Sequence, residues 1–360
     1  MRIGYLIDTN RGDYDQPLPG RDDAAAAIEA MVEEGVLAEK AGFHSVQVPD
    51  RHGRTESYFG SPLNLLMILA HETEKVALGS YCLVNPLYHP MHVAEQCAII
   101  DNLSKGRLYM TWGRGYHSGY LGQFGIPEDK LLGRFLDSVR LIEKALESKG
   151  ERFDWQSDYH QVRQGLLSPN SYQQPRFPFW GGGQLPAAIA RCGTYAESWT
   201  CDQFPILPEV WEEQAGAYRA KAREHGKQPF IVLMRDGWLA DSFEQAAEEF
   251  GTHYVAEMRF YCEQGILAHH PELDTPEKIT PESAREHIVM GTAAQCRERL
   301  EWYYEELGVN YFTIRFRMVT GPSFEATRDQ ILRFGEEVVQ PLHRKYPAIE
   351  HPAIPEVCRW

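Results

Sequence analysis

The sequence predicts a (β/α)8 TIM barrel, an α/β fold in one domain, with a lid insertion between its seventh and eighth strands. Three observations carry this prediction. Apolar runs of strand length alternate eight times with segments of helical periodicity. The strands read as near-continuous apolar runs, which is the pattern of parallel strands buried on both faces. A length of 360 residues suits one closed barrel without a second domain. An open doubly wound sheet is the alternative for the same alternation.

The units follow in order. RIGYLI is the first strand, and residues 22–41 form its amphipathic helix. SVQVPD is the second, followed by an apolar helix from Pro62. VALGSYCLV is the third, and after YHP a helix covers 91–103. RLYMTW is the fourth, with its helix at 131–148, and 153–178 is an irregular connection rich in Tyr, Gln, Ser and Pro. FPFW is the fifth strand and leads through GGG into a helix at 185–192. ESWTC with a helix at 209–225 makes the sixth unit, and FIVLMRDGWLA with a helix from Ser242 the seventh. YFTIRF and a helix over 324–339 close the barrel. Residues 252–290 are too long for a plain connection, and a segment of that kind over a barrel mouth reads as a lid. The barrel domain is therefore set at 1–345. The proline-rich tail, 346–360, is expected to run extended over the surface, with a partner subunit as one candidate contact.

Composition narrows the function classes. A formal charge of −15 argues against nucleic acid and anionic membrane surfaces, both of which need a basic footprint. The N-terminus lacks the apolar core of a signal peptide, and the stretch PLNLLMILA is too short to span a bilayer. Seven scattered cysteines without any CxxC read as reduced thiols of a cytoplasmic protein, and no metal site is expected.

In this fold the loops after the strands build the active site. The second strand delivers Asp50, Arg51 and His52; the third Tyr81 and Cys82; the fourth Gly113, Arg114, Gly115 and Tyr116, with His117 beyond. Arg235, Arg315 and Arg317 sit at the ends of the seventh and eighth strands. There they are candidates for a substrate anion or, alternatively, for ion pairs inside the barrel. Trp112, Trp180 and Trp199 are read either as an aromatic wall over the substrate or as barrel interior. WGGGQLPAAIA lets backbone approach a ligand closely and turns free helix N–H groups toward an anion. Arg114 and Arg134 add charge-assisted bonds to the same group. No GxGxxG or GxxxxGK[ST] accompanies them, so the pattern points to one phosphate, with a ligand-free glycine turn as the other reading.

The segments AEKAGFHSVQVPDRH, VALGSYCLVNPLYHPMHVAEQCAIIDNLSKGRLYMTWGRGY, FPFWGGG and GTAAQCRERLEWYYEELGVNYFTIRF resemble the bacterial-luciferase-like superfamily of flavin-dependent oxidoreductases. The resemblance implies a barrel that binds FMN, or the deazaflavin F420, at its mouth. Arg114 and Arg134 fall where the family places arginines on the flavin phosphate, and Gly182, Gly183 and Gln184 match the loop that closes around it. Tyr81–Cys82 falls where many relatives have a non-prolyl cis peptide beneath the flavin ring. Gly113 stands where luciferases carry a reactive cysteine, and Asp50 is counted with the cofactor-binding residues as an orienting carboxylate. Luciferase α subunits have an acidic residue followed by two histidines; Asp50-Arg51-His52 departs from that, and light emission is not expected. His52 remains the acid/base candidate, with Arg51 beside it.

The function implied is a monooxygenase. It would use reduced FMN supplied by a separate flavin reductase, form a C4a-(hydro)peroxyflavin and oxygenate a small organic substrate. An F420-dependent hydride-transfer oxidoreductase is the alternative, and a non-catalytic flavin-binding protein or partner subunit the second. Relatives are often dimers, so a homodimer is expected.

Overall fold

The strands close into a ring because each apolar run finds a parallel neighbour on both sides. The computed structural model describes the chain except residues 15, 116–117, 202–207 and 269, and the side chains of 118, 208, 209 and 286. Eight strands form the barrel: β1 (Arg2–Leu6), β2 (Ser45–Val48), β3 (Ala77–Ser80), β4 (Leu108–Gly113), β5 (Phe179–Gly182), β6 (Ser198–Cys201), β7 (Ile231–Leu239) and β8 (Tyr311–Arg315). They pair in chain order from β1 to β7. β7 pairs with β8 (Val232 opposite Tyr311), and β8 closes on β1 (Arg2 opposite Tyr311). The closed ring rules out the doubly wound alternative.

Around it lie α1 (Arg21–Lys40), α2 (Pro62–Glu72), α3 (Pro90–Leu103), α4 (Leu131–Leu146), α5 (Pro186–Tyr195), α6 (Pro208–Glu224), α7 (Gly251–Glu263), α8 (Ala293–Glu305) and α9 (Phe324–Phe334). α4 shows why such segments are helical. Its buried Leu131, Phe135, Ser138, Val139 and Ile142 recur at three- and four-residue steps, which puts them on one face. α8 starts at a capping box in which Thr292 and Gln295 satisfy each other's backbone N–H groups. No helix among the described residues is long and apolar enough to cross a membrane.

Three segments differ from expectation. The third strand ends at Ser80 and resumes as Leu83–Val84 against β4, an interruption not expected, although the cis peptide bond between Tyr81 and Cys82 is the one the resemblance implies. The connection 153–178 contains an antiparallel hairpin, Phe153–Gln156 with Gln161–Gly165. The insertion contains α7 and ends in a further parallel strand, Val289–Gly291, which lies beside the end of β7. A three-residue strand with a glycine in it carries no periodicity to read.

The tail closes the barrel floor. Tyr109, Trp180, Phe230 and Tyr311 form an aromatic layer at the N-terminal end, and Ala353, Ile354 and Cys358 pack beneath it. Trp180 Nε1 donates to the Ala353 carbonyl and His44 Nε2 to the Cys358 carbonyl, each at 2.7 Å. An open barrel floor would leave these rings in water, so apolar burial holds the tail there. Trp112 and Trp199 are also fully buried, Trp199 against Trp211 and Tyr218. None of the three tryptophans forms a wall over a substrate.

Candidate active site

The second strand ends in a hub. Asp50 Oδ2 accepts from the Val84 backbone N–H at 2.8 Å, and its Oδ1 accepts from the Tyr88 hydroxyl at 2.9 Å and lies 2.8 Å from His52 Nε2, which is also 3.2 Å from the Tyr88 hydroxyl. Both carboxylate oxygens are thus engaged, and Asp50 is buried. It pins the segment that follows the cis peptide and sits against the imidazole, the geometry of a positioning residue. His52 is itself buried, with Tyr120 and Phe124 edge-on to its ring. Its Nδ1 has no partner among the described residues and is the ring atom available for proton transfer.

The glycines after β4 and β5 answer first to Cys82. A Cβ on Gly182 would lie 2.8 Å from the Cys82 sulfur, and one on Gly113 would lie 2.9 Å from Cys82 Cβ. The third, fourth and fifth strands therefore meet around that side chain with no room for another methyl group. Tyr81 is fixed from the far side by donating its hydroxyl to the Cys201 carbonyl at 2.9 Å.

Beside this contact lies a cationic rim. β4 and β5 are neighbours, with Trp112 opposite Gly181, so the loops carrying Arg114 and Gly183 leave the sheet together. Arg114 is exposed. Arg134, near the start of α4, lies 6.0 Å from the Tyr159 ring, and its Nε is buried without a hydrogen-bond partner. α5 has Leu185 as its N-cap, without a side-chain cap; Pro186 carries no N–H and Ala188 already donates to the Leu185 carbonyl, so Ala187 offers the first helical N–H to an outside acceptor. Arg114 after β4, Arg134 on α4 and the glycine loop after β5 carry the donors that the sequence assigns to a phosphate. Tyr116 and His117 lie outside the described residues.

Deeper in the mouth the arginines separate. Arg315 is fully buried and pairs with Asp8 (2.9 Å), Asp236 (2.7 Å) and Glu257 (2.9 Å). Arg51 donates to the other Asp8 oxygen at 2.8 Å and is 14% exposed. Burial alone would raise the Asp8 carboxyl, but Arg51 and Arg315 hold it below its usual value. Burial pushes Asp236 up to about 6 against the pull of Arg315. Arg315 is thus an interior ion-pair residue rather than a substrate ligand. Arg235 points the other way, with its Nε toward the Tyr303 hydroxyl at 3.3 Å and its guanidinium over that ring, in the layer between β7 and α8. Side chains alternate along a strand, so Arg235 and Asp236 face opposite sides.

Sequence reasoning missed Asp8, Tyr88 and Glu257. It also missed a stack of Phe260 on Tyr14 (4.5 Å) beneath the Arg54 guanidinium at the edge of the insertion. Asp8 follows directly on the first strand and was open to the same strand-end reading as Asp50. The partners from the insertion left no signal, because α7 docks through tertiary contacts alone.

Comparison with known proteins adds the following. The sequence model of a family described as luciferase-like monooxygenase matches residues 1–311. The oxygenase component of the flavin-dependent trigonelline monooxygenase of Acinetobacter baylyi is 25% identical over 327 residues, covering 86% of this chain and 89% of the relative. The oxygenating constituent of 3,6-diketocamphane monooxygenase from Pseudomonas putida, solved with FMN, matches with a TM-score of 0.77 at 14% identity, over 94% of this chain and 98% of its own. An F420-dependent secondary alcohol dehydrogenase with an F420–acetone adduct matches with a TM-score of 0.72 at 18% identity, over 94% and 98%. The two structural likenesses establish the shared fold.

Proposed function

Because the chain belongs to the luciferase-like monooxygenase family, we propose that it is the oxygenase component of a two-component system. It takes reduced FMN from a separate flavin reductase and places one oxygen atom on a small organic substrate. The observation that most supports this reading is the cationic rim: exposed Arg114, the unpartnered Nε of Arg134 and the uncapped start of α5.

Bound reduced flavin supplies the electrons that activate oxygen. The chain's own residues do the rest. Arg114 and Arg134 hold the phosphate, with Gly182, Gly183 and Gln184 closing around it. The Tyr81–Cys82 segment, kept in place by Asp50 through Val84, would contact the flavin ring system. His52 moves a proton at Nδ1, and Asp50 at Nε2 stabilises the imidazolium that results. Arg51 brings a fixed positive charge to the mouth. α7 serves as the lid that keeps water from the reacting atoms.

F420-dependent hydride transfer is the second reading, favoured by the shared fold of the alcohol dehydrogenase. It uses the same His52 and needs no oxygen. The exposed Ile68, Ile99 and Leu103 on α2 and α3 support a homodimer through these helices.

Arg114→Ala tests the rim. Loss of a charge-assisted bond is expected to weaken FMN affinity by about 1.5–3 kcal/mol, measured by fluorescence titration. Unchanged affinity would remove the phosphate assignment.

A further inference from the structure

Among the buried arginines at the mouth, one has no acidic partner. Arg11 pairs with Glu34, Arg51 with Asp8, Arg54 with Glu56, and Arg315 with three carboxylates. Arg317 is only 6% exposed, yet among the described residues it has no ion pair. Its one hydrogen bond runs from Nε to the Asn10 carbonyl at 3.5 Å, the limit of such a contact. Taking a guanidinium out of water without a counter-charge is unfavourable, so the position calls for an anion from outside.

Its place in the fold shows where that anion comes from. Phe316 turns outward and packs on Tyr5, Phe43 and Phe334. Arg315, one residue before, is the interior ion-pair centre. Arg317 lies two residues beyond the end of β8, between the β1 exit loop at Asn10 and Phe324 at the start of α9. The Phe324 ring lies under Arg317 at 5.3 Å and under Arg11 at 3.9 Å, which holds both guanidiniums against one support. Arg11 is already taken by Glu34. Two polar atoms on the same β1 exit loop, Thr9 Oγ1 and Asn10 Oδ1, are buried without hydrogen-bond partners. Burial and the neighbouring Arg11 bring the Arg317 pKa down to about 10 against the pull of Asp8 and Glu34, whose carboxylates are already paired with Arg51, Arg315 and Arg11.

From this geometry we infer that the substrate is an organic monoanion, and that Arg317 holds its carboxylate with the Thr9 hydroxyl beside it as a second donor. The inference rests on the monooxygenase reading for the word substrate, and it goes beyond that reading by naming the group recognised. One unpaired guanidinium neutralises one charge, and its paired N–H groups match the two oxygens of a carboxylate. The site lies after β8, on the other side of the mouth from the rim after β4 and β5, so it leaves the flavin phosphate site free.

The test is thermal melting of the full chain, with FMN present or omitted, in graded hexanoate, benzoate and phenylacetate and in their neutral amides. At least one carboxylate is expected to raise the wild-type midpoint, and its amide is not. In Arg317→Gln the apparent affinity is expected to fall roughly tenfold to a hundredfold, with Arg317→Lys in between. Without ligand, Arg317→Gln is expected to melt no lower than wild type, because an uncompensated charge has been removed. The inference is overturned if no carboxylate acts on wild type, if Arg317→Gln responds equally, or if that variant melts far lower or fails to fold. None of these readings needs oxygen or turnover. Carboxylate binding without flavin–oxygen chemistry would therefore sink the monooxygenase reading alone.

Discussion

Cys82 shows how closely this site is built. Gly182→Ala puts a methyl group 2.8 Å from its sulfur, and neither a sheet backbone nor a short side chain can yield that distance freely. The substitution is expected to destabilise the fold by about 1–3 kcal/mol. Adding Cys82→Ala is expected to restore most of the loss, since the second change removes the obstructing atom. Chemical denaturation of the two variants decides, and no rescue would place the strain elsewhere. At this scale the sequence was partly legible. The glycine-rich turns and the arginines near them stood out by composition, because glycine and arginine are used there for backbone approach and charge. Asp50 was read as an orienting carboxylate among the cofactor-binding residues, but its donors at Val84 and Tyr88 lie 34 and 38 residues away, and spacing cannot show them. The three arginines read together as anion candidates parted company in space. The β7–β8 register, with Arg235 level with Ile314 and Asp236 level with Arg315, separates Arg235 from Arg315; alternation within each strand was available in the sequence, but the register between the strands was not. Nor were the ion pairs that occupy Arg315.

Among the elements, the insertion carries the clearest consequence. α7 sends Glu257 into the buried cluster around Arg315 and sets Phe260 on Tyr14, so it is fastened to the barrel by one charged and one aromatic contact. Glu257→Gln keeps the shape and removes the charge. Arg315 retains Asp8 and Asp236, so the expected cost is about 1–3 kcal/mol, concentrated in the insertion. Amide hydrogen exchange is expected to speed up across α7 while the floor strands keep their protection. Uniform protection in both would show that the ion pair does not fasten the helix. The eight strand–helix units were legible because buried parallel strands and amphipathic helices differ in period and length. The hairpin in 153–178 was not, since FDWQ and QVRQG are half exposed and carry little apolar signal. The tail was misread for a related reason. Its prolines signal extended chain, but only the assembled aromatic floor shows what that chain covers.

For the molecule as a whole, buried histidines set the response to acid. Burial lowers His44 to about 3 and His287 to about 4, and holds His343 well below its ordinary value, with His44 and Arg2 adding to it. In the unfolded chain each binds a proton below about pH 6.5. In the folded chain each stays neutral down to its lowered pKa. Stability is therefore complete above about pH 6.5 and is lost as the pH falls, at up to about 1.4 kcal/mol per pH unit for each histidine. Asp236, raised to about 6, acts in the opposite direction, because its folded form takes up a proton before the unfolded one. Glu34 and Asp101 are raised by burial as well, while burial also lowers His89, His253 and His351; six histidines outweigh three carboxyls, so the melting temperature is expected to drop between pH 6.5 and pH 5. His44→Gln is expected to make that slope shallower, and a flat profile would contradict the assignment of neutral buried histidines.

The reaction class is decided by the reduced cofactor. The purified protein is titrated anaerobically with reduced FMN and, separately, with reduced F420, and each complex is then mixed rapidly with oxygenated buffer. The predicted result is tight binding of reduced FMN, followed by reoxidation in an oxygen-dependent phase distinct from that of free reduced FMN. Preference for reduced F420, with no oxygen-dependent phase, would contradict the oxygenase assignment and make the protein a hydride-transfer enzyme.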